Sequence, residues 1–310
     1  MKEIFNYLKN HLEEDFRAGY YIALGLFLAA CIAVNYSLDF EDSIIDSYYG
    51  KTVRIVYFFL FYGFAYYGAT ALLVVLKKRY DILRNPWFWL KSAFILFLLA
   101  LDSGFHYHDL VVRQFVSPVA HYFTTKVVKN LINVLTMVLP MIIFYRLYDR
   151  QVGSFYGLTL RGFNYKPYLF MLLVMVPVVT AASFTESFND FYPIYKRNAV
   201  HVHLQIEEWI PAMIYELAYG WNFLTVELAF RGFMVLSLAS IMGRNVVVPM
   251  VVTYCFYHFG KPGAEAISSI LGGYILGVIA YESRSVFGGI IIHVGIAWMM
   301  EFFAWLQQEI

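Results

Sequence analysis

The chain has 310 residues, of which 60% are apolar, 20% aromatic and only 15% charged, and its formal net charge is +1. Soluble domains run at roughly 45–50% apolar and about 25% charged, so this composition excludes a water-soluble globule, and the near balance of charge leaves no nucleic-acid footprint. The excess apolar surface has to face lipid. Because lipid leaves no backbone group tolerable unpaired, the fold class is an all-α, polytopic membrane helix bundle.

Residues 1–18 carry charges of both signs, with Phe5, Leu8, Leu12 and Phe16 at helical spacing. That pattern predicts a short interfacial N-terminal helix leading into a signal-anchor span. A bilayer core of about 30 Å takes roughly 20 apolar residues per helix. Spans are predicted at 19–36, 53–76, 86–103, 127–146, 167–184, 209–241, 245–259, 264–281 and 286–306. The third contains Lys91 and Asp102, the sixth is too long for one straight crossing and the seventh is short. The expectation is therefore eight or nine transmembrane helices in one domain covering 1–310, with 105–126 as a re-entrant or interfacial piece. Cys31 and Cys255 both lie in apolar runs and read as buried thiols with no disulfide framework. With the N-terminus inside, inner segments hold 13 Lys and Arg residues and outer segments eight. That asymmetry predicts a cytoplasmic N-terminus.

Ionisable residues inside spans are costly, about 2.5–3.5 kcal/mol on insertion scales, and so mark function by default. Those that need explaining gather in the last third. Glu227 and Arg231 are four apart, on one helix face, and can pair. Glu216 lies about three turns earlier on nearly the same face, with Gly220 and Phe223 between. This stripe would either line a groove or serve helix packing around the glycine. His258 follows Tyr254 by four and is followed by Gly260-Lys261-Pro262-Gly263, a helix-ending run. Glu265 opens the next span, where a carboxylate also suits a helix start. His293 sits in GGIIIHVGIAWMM, apolar on both sides. Two histidines and a carboxylate from consecutive hydrophobic segments support three chemistries. They could bind a metal such as zinc, activate a water for hydrolysis, or relay protons or ions. His201-x-His203 with Glu207-Glu208 adds a further candidate ligand set on an outer loop, or plain solvated loop residues. HExxH is absent, so the usual helical zinc-protease signature lends no support.

In order, Val226-Glu227-Leu228-Ala229-Phe230-Arg231-Gly232, Tyr254-x-x-x-His258, Gly272-Gly273-x-x-x-Gly277 and His293 resemble the CPBP family. These are CAAX-protease and bacteriocin-processing membrane enzymes, also called Abi, and they include the Rce1-type prenyl-protein proteases. The resemblance covers a core region of about 205–303. It implies an intramembrane glutamic-type endopeptidase needing no metal or other cofactor, in a bacterial inner membrane, with a membrane protein or peptide as substrate. Carried over residue by residue, it implies Arg231, His258 and His293, with Glu227 at the second glutamate; the expected catalytic set is Glu227, His258 and His293, with Arg231, Tyr254 and Glu265 in support. Three positions depart from the family pattern. Val226 stands where a first glutamate is usual, Tyr254 replaces phenylalanine, and Ala297 replaces asparagine. Glu227 by a modest helix rotation, Glu265, or the Tyr254 hydroxyl as an oxyanion donor would compensate. The alternatives are a catalytically silent relative acting as a scaffold or binding partner, and a metal or proton transport protein.

Overall fold

The computed structural model describes residues 1–309, which are helical throughout except for turns and loops. Among these residues, seven helical runs are long and apolar enough to cross a membrane: Ala18–Leu38, Val53–Lys77, Pro86–Phe115, Pro118–Val152, Trp209–Phe256, Gly263–Ser283 and Phe287–Gln308. This corrects the expectation of eight or nine. Segment 167–184 forms Lys166–Ala182, only 17 residues; at 1.5 Å per residue that is about 26 Å, short of a bilayer core of about 30 Å. The spans expected at 209–241 and 245–259 belong to one helical run of 48 residues. That run breaks at Gly243, whose φ of 61° suits glycine because it has no Cβ to clash. Segment 105–126 forms the helix Tyr107–Phe115 and the first turns of the helix after it.

The principal helices are α1 (Lys2–Asp15), α2 (Ala18–Leu38), α3 (Val53–Lys77) and α4 (Pro86–Gly104). The run Pro118–Val152 is α5 and Lys166–Ala182 is α6. Trp209–Glu227 is α7, which continues as a π-helix over Leu228–Ser237. The last three are α8 (Val247–Phe256), α9 (Gly263–Ser283) and α10 (Phe287–Glu309). The π-helix and α8 are buried along their whole length and form the centre of the bundle, against α3 and α4. In contrast, α2 buries only Tyr20, Leu24, Leu28 and Asn35, one narrow stripe against α3, and leaves the rest of its apolar surface outward.

The two charges of α4 are both satisfied. Lys91 Nζ lies 2.5 Å from Asp149 Oδ1 and donates to the Ser237 carbonyl at 2.9 Å. The Ser237 hydroxyl donates to Asp149 Oδ2, and Thr136 donates to Asp102. These pairs tie α4 to α5 and to the end of the π-helix. Because each charge meets a partner inside the bundle, an ionisable residue does not prevent this segment from being a span.

One end of the bundle gathers α1, the end of α3, the Gly243 turn and the α9–α10 turn. Lys77 pairs with Asp15 at 2.9 Å and donates to Asn245 Oδ1 at 3.1 Å, while Arg244 reaches both Glu14 at 3.0 Å and Glu282 at 2.8 Å. The N-terminal helix ends at Asp15 and packs on α9 through Ile4 and His11, while Phe5, Leu12 and Phe16 stay exposed. His11 is fully buried between the rings of Tyr274 and Tyr281, 5.7 and 6.0 Å away. Burial pushes its pKa down to about 4, with the Asp15 carboxylate opposing.

His11 therefore binds its proton less readily in the folded protein than in the unfolded chain. Its contribution is fully present above its ordinary pKa of 6.5 and is lost as pH falls towards about 4. The thermal midpoint of the purified protein in neutral detergent should drop between pH 7 and pH 4. It should drop less in His11→Phe, and parallel pH profiles for the two proteins would refute this account.

Candidate active site

Helix pitch changes at the residue after Glu227, where α7 gives way to the π-helix. Such bulges widen a helix by one residue per turn and recur at functional sites. Here Val226 packs into the main core, while Glu227 points at α10. There Gly289 makes room: a Cβ on it would lie 2.0 Å from Glu227 Oε2, so only glycine lets the two helices and the carboxylate share this space.

Four of the sequence-predicted residues meet around that carboxylate. His293 Nδ1 is 2.9 Å from Glu227 Oε1, and Arg231 Nη1 is 3.0 Å from the same oxygen. His293 Nε2 is 3.1 Å from the Tyr254 hydroxyl. The Arg231 guanidinium also lies over the Tyr254 ring, 4.2 Å from its centroid, a cation–π contact that a desolvated site strengthens. Glu227 and Arg231 are both fully buried. A carboxylate accepts only, so His293 donates from Nδ1 to Glu227, and its Nε2 is left to accept from the Tyr254 hydroxyl. The Tyr254 ring is itself held by α9, where a Cβ on Gly273 would lie 3.0 Å from Tyr254 Cδ1. Of the third motif's glycines, Gly273 and Gly277 thus bring α9 up against α8, while Gly272 faces open space.

His258 stands on the other side of Tyr254. Its Nδ1 is 2.8 Å from the Tyr254 carbonyl oxygen, and the two rings meet edge-on at 4.4 Å. Since a carbonyl oxygen only accepts, Nδ1 carries the proton and Nε2 is the acceptor. The carboxylate partner in this site is therefore taken by His293, and His258 is joined to it through Tyr254. Sequence spacing alone held no signal for that choice.

Glu265 does not join the cluster. Its Oε1 accepts from Lys261 at 2.6 Å and its Oε2 from Tyr192 at 2.8 Å, so it holds the corner after α8 to the loop before α7. Glu216 stands apart as well, its Oε2 buried with no hydrogen-bond partner among the described residues. Trp298 of α10 covers Gly220, with the indole Cζ2 2.9 Å from where a Cβ would be, and donates to the Glu216 carbonyl at 3.0 Å. The stripe thus serves helix packing. Ala297 is buried with Tyr215, Tyr219 and Phe223 and presents no polar atom to the site. On the loop before α7, His201 Nδ1 bonds the Asn198 carbonyl at 3.0 Å and Glu208 pairs with Arg197 at 3.5 Å. Among the described residues, the group whose carboxylate oxygens come within 4.8 Å of one another is Glu41, Asp42 and Asp46, after α2. None of these was singled out as a ligand from sequence. Cys31 and Cys255 are free thiols.

The site leaves polar capacity unused. Glu227 Oε2 and the Nε, Nη1 and Nη2 atoms of Arg231 are buried with no hydrogen-bond partner among the described residues. Arg231 Nη1 is thus in ionic contact with Glu227 without being aligned as a hydrogen bond. Buried polar groups are nearly always bonded, and clustered exceptions point to function.

Taken together, fold and site define a polytopic membrane helix bundle with a Glu–His–Tyr chain and a guanidinium sealed within it. Residues 221–299 match the family model described as Type II CAAX prenyl endopeptidase Rce1-like. The resemblance carried by the motifs is thereby shown over that stretch, which contains Glu227, Arg231, Tyr254, His258, Glu265 and His293. No curated protein and no solved structure matches the chain.

Removing Arg231 leaves a buried carboxylate facing only a neutral imidazole. Breaking a buried ion pair from one side costs about 3–5 kcal/mol. Arg231→Met should therefore destabilise the purified protein strongly in a dodecyl sulfate titration. Adding Glu227→Gln should recover most of the loss; a double variant no more stable than Arg231→Met alone would show that the pair is not what the guanidinium supports.

Proposed function

We propose that the chain is an intramembrane endopeptidase that hydrolyses a peptide bond of a membrane-held substrate with Glu227, His293, Tyr254 and His258. The observation that supports it most is the 2.9 Å contact between Glu227 and His293, continued at 3.1 Å to the Tyr254 hydroxyl. At rest the hydroxyl caps His293 Nε2. An incoming peptide carbonyl takes that hydroxyl as its donor and frees Nε2 to accept a proton from water. Glu227 stabilises the imidazolium that forms, as a buried carboxylate does in triads. The water oxygen bonds to the carbonyl carbon, and the resulting oxyanion is met by the Tyr254 hydroxyl and the free N–H groups of Arg231. On collapse the C–N bond breaks and the leaving amine takes the proton from His293. His258, donating to the Tyr254 carbonyl, fixes that residue and offers Nε2 to the substrate backbone.

In this scheme Tyr254 takes the donor role that Ala297 cannot, and the carboxylate one position on from Val226 acts through His293. The matching family is described as a CAAX prenyl endopeptidase, and a membrane-anchored C-terminal peptide fits an intramembrane site. We place the protein in a bacterial inner membrane with its N-terminus in the cytoplasm, because the basic loops favour that orientation.

Purified protein in detergent should cleave such a membrane peptide. Glu227→Ala and His293→Ala should each lose about 10²–10⁴ in kcat, the usual worth of acid–base catalysis. Tyr254→Phe should lose about 10²–10³ in kcat at unchanged KM, as for an oxyanion donor. Full activity in both Glu227→Ala and His293→Ala would overturn the assignment.

A second reading is a catalytically silent relative that holds another membrane protein. The apolar packing of Val226 in the core and of Ala297 against Tyr219 and Phe223 favours it. It requires an inactive wild type in which Val226→Glu with Ala297→Asn creates hydrolysis. Cleavage by the wild-type protein would rule it out.

A further inference from the structure

The loop between α5 and α6 is strapped to the turn between α9 and α10. Val286 N donates to the Gly157 carbonyl at 3.0 Å, and the Ser285 hydroxyl donates to the Thr159 carbonyl at 3.0 Å. Gly157 permits the approach, with a φ of 78°; a Cβ there would lie 2.5 Å from Leu236 and 3.3 Å from the Arg284 carbonyl oxygen. The strap brings Arg161 and Arg284 to one pocket of about 400 Å³, with Ser154, Thr159 and Ser283 beside them.

Among the described residues, none that lines this pocket is acidic. The carboxylates nearest in sequence are committed elsewhere: Glu282 to Arg244 at 2.8 Å, and Asp149 to Lys91 and Ser237. Among the described residues, neither Arg161 nor Arg284 has a carboxylate within ion-pair distance. Arg284 lies with its guanidinium over the Tyr281 ring, 5.3 Å from the centroid. A guanidinium laid on a ring keeps its in-plane N–H groups for a bidentate acceptor. Two guanidinium groups without a counter-charge, three hydroxyls and a concave wall form a receptor for a compact, multiply oxygenated anion.

We infer that this pocket binds a phosphate group. The helix ends around it place it where bilayer meets water, the level at which lipid phosphates lie, and a water-soluble phosphate ester presents the same oxygens. Both arginines are exposed, so replacing them leaves the core intact. The pocket lies apart from Glu227 and His293, and the inference does not depend on the proposed hydrolysis.

The test uses the full-length protein in neutral detergent, with binding followed by native mass spectrometry and by the thermal midpoint. The probes are phosphatidylglycerol, phosphatidylcholine and inorganic phosphate. Phosphatidylglycerol should bind and stabilise the wild type. Arg161→Gln and Arg284→Gln should each weaken Kd by about tenfold or more, the worth of a charge-assisted hydrogen bond, with the midpoint in lipid-free detergent unchanged. If millimolar inorganic phosphate neither stabilises nor competes, the ligand is a lipid headgroup; if it does both, the ligand is a soluble phosphate. Equal response to phosphatidylcholine and phosphatidylglycerol, or a double variant that binds as tightly as the wild type, would overturn the site.

Discussion

A guanidinium taken fully out of water must be met by something that holds its charge, and around Arg231 that requirement organises the C-terminal half of the chain. Four residues back on the helix, Glu227 supplies the counter-charge. The face of Tyr254 supplies a second contact from α8, and His293 completes the carboxylate's coordination from α10. The two helices and the π-helix that carry these groups are held in register by a cluster that would be ruinously expensive if any one of them moved away. Gly289 and Gly273 are what allow that closeness, since each stands where a side chain would collide with a site residue.

Elsewhere the bundle deals with its charges differently. Lys91 with Asp149, Lys77 with Asp15 and Asp102 with Thr136 are matched with partners on other helices, and they act as struts between segments. At the central cluster the pairing is incomplete. Arg231 is in contact with its carboxylate yet donates no aligned hydrogen bond, and Glu227 keeps one oxygen unused. Structural ion pairs saturate their donors because an unsatisfied buried group is costly. Unused capacity on both members of one buried ion pair is what sets this cluster apart from the struts.

Much of this was legible in the sequence. The membrane bundle followed from composition, and the pairing of Glu227 with Arg231 followed from their spacing of four. That His258 and His293 belong with them followed from the order of motifs. Other features were not legible. A run of 17 apolar residues and one of 20 look alike along a sequence, so α6 reads as a crossing until its helical limits are known. The bond from Glu227 to His293, with His258 held to the Tyr254 carbonyl, depends on how α7, α8 and α10 are rotated against one another. Glu265 offered the same carboxylate chemistry as Glu227, and only the positions of Lys261 and Tyr192 withdraw it from the site. Arg161 and Arg284 lie 123 positions apart in numbering and share a pocket solely because two backbone hydrogen-bonded turns meet.

The amino-acid sequence by itself determined the solvent, the helical class and the residues that bear charge where charge is costly, because transfer free energy and helical period are local properties of the chain. Which of those residues touch was decided by the tertiary structure. Contacts between helices depend on rotation, pitch and the few glycines that admit close approach, and a π-helix beginning at Leu228 shifts the phase of everything beyond it. The same two glutamates, two histidines and tyrosine would serve any of several arrangements. The packing of α8, α9 and α10 selects the one in which a carboxylate, an imidazole and a phenol stand in line.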